Sequence, residues 1–209
     1  MAYTLLDLPN APDPLRHFVD DTIEKYLREL HYLLALPCPK DSQPKQFQIS
    51  IANMLVAVIS GAAAVLTTLD LPPGRQFVQV LLQHYPWADD APTGGTPRQA
   101  AHVLYNVYRI PLVHTGFALK KRARTIKTGR HIQNTLDAAA WESAVEALEN
   151  SRTRPSHDPS VVIRKDATVL WLDPLYWGVR QMIQRSLDDP AQCNRVLDRI
   201  ASGEALRHR

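Results

Sequence analysis

Cysteine is scarce here: Cys38 and Cys193 are the only two in 209 residues, far apart and outside any metal-binding spacing. That points away from a disulfide framework and towards a reducing, cytoplasmic location. The segment MAYTLLDLPNAPDPLRHF has no basic stretch followed by an apolar run, so no secretory leader is expected. His84, His102, His131 and His157 show neither H-x-x-x-H nor H-E-x-x-H spacing, and no glycine-rich phosphate loop is present. No metal and no cofactor are therefore expected.

Charge is missing from two places. Gln46 to Leu69 carries none at all and contains IANMLVAVISGAAAVL, a length that permits a membrane span. Gln46, Gln48, Ser50, Asn53, Ser60, Thr67 and Thr68 interrupt it, and neither an aromatic belt nor a basic cluster flanks it. A helix at the centre of a bundle fits better, and no membrane partner is expected. Carboxylates are missing from Ala91 to Leu136, which holds 8 basic residues. Met1 to Asp90 has 6 basic and 10 acidic residues, and Asp137 to Arg209 has 10 and 11, so the net charge of +3 conceals a strongly basic middle.

What is present reads as one mainly helical domain over 1–209. Asp13-Pro14 starts a helix to about Leu36, the charge-free stretch forms a second, and RQFVQVLLQHY a third that Pro86 stops. Thr96-Pro97 caps a fourth, RQAAHVLYNVY, on which Ala100, Leu104, Val107 and Tyr108 share a core-facing side. A helix over AAAWESAVEALE follows. SVVIRKDATVLWL alternates as a short C-terminal β-hairpin at about 160–172, turning near Lys165-Asp166. Asp173-Pro174 opens a helix through LYWGVRQMIQRSL, and CNRVLDRIAS makes the last. Trp87, Trp141, Trp171 and Trp177 are expected as core or interface anchors.

Arg109 and His114 are spaced R-x4-H. On an unbroken helix they point about 140° apart. Pro111 lacks the amide donor for Val107 and restricts Ile110, so a helix break there is expected to bring both side chains to one side. The plainer reading is a surface arginine and an ordinary helix histidine.

The segment LYNVYRIPLVHT resembles the motif region of the HEPN superfamily, small helical bundles whose signature is Arg, four to six residues, then His. The order of the charge-free helix, RQFVQVLL, the motif helix and a late strand pair is similar to bacterial members. The resemblance implies an HEPN-like helical bundle and a homodimer with two motifs facing one cleft. It further implies an RNA-binding protein acting as a metal-independent endoribonuclease of toxin or defence type, with an antitoxin or other protein partner. In that role His114 is the general acid or base for attack by an RNA 2′-hydroxyl, and the Arg109 guanidinium holds the phosphate. Two departures stand out: Ile110 occupies a position that is polar in active members, and Pro111 replaces a small residue. They favour the alternative of a catalytically silent HEPN-like binding module; a helical adaptor for a protein or nucleotide partner is a further alternative.

The run KKRARTIKTGRH begins six residues after His114 and carries Lys120, Lys121, Arg122, Arg124, Lys127 and Arg130. Read as a basic loop, it supplies phosphate contacts, with Tyr105 and Tyr108 for base stacking. The same loop also reads as a solvated segment without a ligand, or as a contact for an acidic protein.

Overall fold

A computed structural model describes residues 6, 8, 11–35, 45–67, 71–115, 123–126 and 159–202. The architecture is mainly helical with a small sheet. Helix α1 (Asp13–Phe18) runs through a π-helical turn (Val19–Glu24) into α2 (Lys25–Ala35), followed by α3 (Lys45–Leu66) and α4 (Pro73–His84). Helix α5 (Pro97–Val103) continues through a second π-helical turn (Leu104–Arg109) into α6 (Ile110–Thr115). Strands β1 (Ala123–Ile126), β2 (Val161–Ile163) and β3 (Thr168–Trp171) precede α7 (Leu172–Asp188) and α8 (Pro190–Ser202).

Helix α3 is the packing axis. Ile51, Leu55, Val56, Ile59, Ala62 and Ala63 are buried, and the helix contacts α2, α4, α7 and α8. By length and composition Gln48–Leu66 also suffices to cross a membrane. Its C-terminal end is closed from outside: Arg199 on α8 donates from Nη1 to the carbonyls of Ala64 and Val65, at 2.7 Å each, and from Nη2 to that of Thr67. A guanidinium thus satisfies carbonyls that the helix leaves without intrahelical donors and complements its negative pole.

The expected hairpin is present, with β2 antiparallel to β3 in the register Val161↔Leu170 to Ile163↔Thr168 and Arg164 N–H donating to Ala167 O at 2.8 Å across the turn. A third strand joins it. β1 lies parallel to β3, pairing Ala123↔Thr168 through Ile126↔Trp171, and the strand order is β1-β3-β2. Part of the run expected as a loop is therefore a strand. The expected helix over AAAWESAVEALE lies outside the described residues, as does Trp141. Trp177 is buried and Trp87 is half-buried, its indole donating to Leu81 O at 2.8 Å.

The connection after α4 is held by a buried polar cluster. Asp90 accepts from the Tyr85 hydroxyl, the Ser160 hydroxyl and, at 2.8 Å, the Ser160 amide. Thr93 then exchanges backbone hydrogen bonds with Val161 and Ile163, so the loop is laid along the hairpin. Gly178 on α7 sits under the Tyr85 hydroxyl, and a Cβ there would collide with it.

Candidate functional site

The motif lies on the rod formed by α5, the π-helical turn and α6. Its start is a capping box: Gln99 N–H donates to Thr96 Oγ1 at 3.3 Å, and Thr96 N–H to Gln99 Oε1 at 2.8 Å. Ala100, Leu104, Tyr108 and Leu112 are buried along one side. Tyr108 is fully enclosed, and its hydroxyl donates to Thr168 O at 3.0 Å, tying the rod to β3. This corrects the expected stacking role, because no face of Tyr108 is left for a nucleobase.

The expected helix break is absent. Ile110 is right-handed helical (φ −60°, ψ −53°), and Pro111 lies inside α6. The reason is local. Ile110 N–H reaches back five residues to Tyr105 O, so the turn before the proline is wider than a regular one and takes up the ring that would otherwise meet the preceding turn. With α6 continuous, Arg109 and His114 diverge by about 140° and stand about 7.5 Å apart along the axis.

Each residue has its own surroundings. The Arg109 guanidinium lies 5.4 Å from the ring centroid of Tyr105, a cation–π contact. Phe77 packs on the same ring at 5.6 Å, and the missing Cβ of Gly74 leaves space for the Tyr105 hydroxyl. Arg109 is half-buried, and its Nε is buried with no hydrogen-bond partner among the described residues. His114 is exposed, beside Val113 at 51% exposure. One chain thus brings Arg109 to Tyr105 and leaves His114 facing outward.

Of the basic run, Arg124 falls within β1, opposite Val169 of β3. Lys120, Lys121, Arg122, Lys127 and Arg130 lie outside the described residues.

A feature absent from the sequence reading lies across the rod. Helix α4 and the rod enclose a groove of about 850 Å³, with Val78, Leu82 and Pro72 among its apolar lining and Arg75, Arg98 and His102 among its polar lining. No carboxylate lines it among the described residues. Arg98 and His102 belong to the carboxylate-free stretch, which was the available signal. Arg75 and Leu82 come from a different part of the chain, and only the packing of α4 on α5 unites them.

Two other groups are held away from reactive states. Burial first, then the carboxylates of Asp189 and Asp188, pushes the Cys193 thiol above its ordinary range, and its Sγ donates to Leu187 O at 2.8 Å. Burial holds the His84 imidazole below its ordinary value, opposed by Asp189 and assisted by Arg195. Comparisons with protein-family models, curated proteins and solved structures found nothing that matches this chain.

Proposed function

We propose that this chain is an HEPN-like RNA-binding protein that engages RNA through its basic run, with Arg109 as a further phosphate contact and without cleavage by a single copy. The observation that carries the reading is the seating of the run. Within that run, strand β1 (Ala123–Ile126, with Arg124) pairs in parallel with β3, and the run's cations belong to a stretch without one carboxylate. Concentrated like charge on an anchored segment lowers the cost of ordering it on a polyanion. The reading includes a homodimer in the cytoplasm, with no membrane partner.

Neutralising Lys120, Lys121, Arg122 and Arg124 together is expected to weaken binding of a single-stranded RNA and flatten its salt dependence. Each lost phosphate contact lowers the slope of log K against log salt by about 0.7, so losing all four lowers it by about 3. Fluorescence anisotropy across a salt series reads this directly. An unchanged affinity and slope in the folded quadruple variant would count against the reading.

Metal-independent RNA cleavage is the second reading, and it requires two copies, because one unbroken helix separates Arg109 from His114. The observation in its favour is the exposure of His114 beside exposed Val113, an apolar side chain that self-association would cover. Purified wild-type protein is then expected to cleave RNA in EDTA to a 2′,3′-cyclic phosphate, with His114→Ala losing most of that activity and Arg109→Lys keeping only part of it. Equal cleavage by wild type and His114→Ala, or none by either across several RNAs, leaves RNA binding without catalysis.

A further inference from the structure

The groove between α4 and the rod differs in kind from the basic run, since its cations stand around an apolar floor. Val78 lies at its base, and Leu82 keeps 40% of its surface exposed in the same groove. Arg75, near the start of α4, and Arg98, near the start of α5, both line it, with His102 one turn beyond Arg98. A purely polar ligand would leave the floor in contact with water, and a purely apolar one would desolvate the arginines without compensation. An occupant with an apolar stripe flanked by carboxylates satisfies both.

Single-stranded RNA fits the groove less well. The aromatic ring in its lining is that of Tyr105, which carries Arg109 at 5.4 Å and Phe77 at 5.6 Å from its centroid, so stacking a base would displace one of them. Gln79, also in the lining, has a buried amide oxygen with no hydrogen-bond partner among the described residues. It asks for a donor, which the polar side chains or first-turn amides of a helical peptide offer. The 12 residues of α4 span about 18 Å, matching roughly three turns of a second helix laid along it.

We propose that this groove docks an acidic amphipathic helix of a partner protein, with its apolar residues over Val78 and Leu82 and its carboxylates against Arg75 and Arg98. The site goes beyond RNA binding and does not depend on it. Recognition is of the helix-in-groove type, with anchors recurring at i, i+3 or i+4, and i+7.

A displayed library of random 16-residue peptides, selected on the full chain, tests this. Enriched sequences are expected to place Asp or Glu beside apolar residues at helical spacing. Synthetic versions, measured by fluorescence anisotropy, are expected to lose at least tenfold in affinity on the Arg75→Glu/Arg98→Glu double variant and on Leu82→Glu. Changing the peptide carboxylates to lysine is expected to recover binding to the double variant and not to wild type. All three positions are exposed, so the variants are expected to fold, which circular dichroism checks. Peptide binding is expected to survive neutralisation of Lys120, Lys121, Arg122 and Arg124, which separates this site from the RNA reading. Failure to enrich any peptide family, or enrichment of peptides indifferent to both groove variants, overturns the proposal. So does displacement of the peptide by a 12-nucleotide RNA whose own binding is lost in the groove variants, which would give the groove to RNA.

Discussion

Asp90→Ala is expected to lower the free energy of unfolding by about 3–5 kcal/mol, the scale set by removing one partner from a buried charged network. Asp90 is 3% exposed and accepts from two hydroxyls and one amide, all enclosed with it. Alanine leaves those buried donors without the acceptor. Tyr85 and Ser160 keep the contact between their own hydroxyl oxygens, 2.6 Å apart. Asp90→Asn is expected to cost less, because an amide oxygen still accepts, while its NH₂ must face hydroxyls already committed as donors. Tyr85→Phe removes the hydroxyl's bonds to Asp90 and Ser160 while leaving the carboxylate its Ser160 donors, and is expected to cost about 2 kcal/mol. For a chain of this length the alanine variant corresponds to a fall of about 10 °C in Tm. Thermal and denaturant unfolding of the three variants check the ranking; an Asp90→Ala protein within 1 kcal/mol of wild type would show that the cluster is not a structural tie.

The helices were legible because their signals are local. Thr96 with Gln99 three residues later is a capping box in sequence and in structure. The alternation of SVVIRKDATVLWL became β2 and β3 for the same reason. β1 was not legible: ARTI is too short and too polar to stand out, and its pairing with β3 joins segments more than 40 residues apart. Helix starts moved by a residue or two, with Pro12 rather than Asp13 preceding α1 and Trp171 rather than Asp173 preceding α7.

The π-helical turns did leave a trace. Ala100, Leu104, Tyr108 and Leu112 are all buried, at a strict spacing of four. On a regular helix each such step drifts about 40°, so after three steps Leu112 would lie about 120° from Ala100. A widened turn at Leu104–Arg109 cancels that drift. Leu15, Val19, Ile23, Leu27 and His31 follow the same spacing around Val19–Glu24. A run of apolar residues at exact fours was thus readable as a demand for extra residues per turn. Pro111 taken alone signals a helix break; with the wider turn before it the helix stays continuous.

Stability is expected to fall as the pH is lowered from about 6.5 to about 4, and His31 is expected to account for about 3 kcal/mol of that fall. His31 is 2% exposed, and burial, aided by the nearby Arg180 guanidinium, lowers its pKa to about 4. Its Nδ1 lies 3.0 Å from the Tyr176 hydroxyl, while Nε2 is buried without a hydrogen-bond partner among the described residues. The neutral ring is thereby satisfied at one nitrogen, whereas an imidazolium would place a second proton and a charge where nothing described receives them. In the unfolded chain the same residue titrates at its ordinary 6.5. Between the two values the unfolded state binds more protons, so stability is complete above 6.5 and is lost progressively down to 4. His84, whose pKa burial also lowers, contributes in the same direction, so the His31 share must be read as a difference between proteins. His31→Leu is expected to be less stable than wild type at pH 7, having lost the contact with Tyr176, and to show a shallower decline towards pH 4. Denaturant unfolding at half-unit pH intervals gives the two curves, and the imidazole proton resonance of wild-type His31 is expected to titrate near 4. Parallel curves for the two proteins, or a His31 resonance that titrates near 6.5, would show that this ring is not held neutral by the fold.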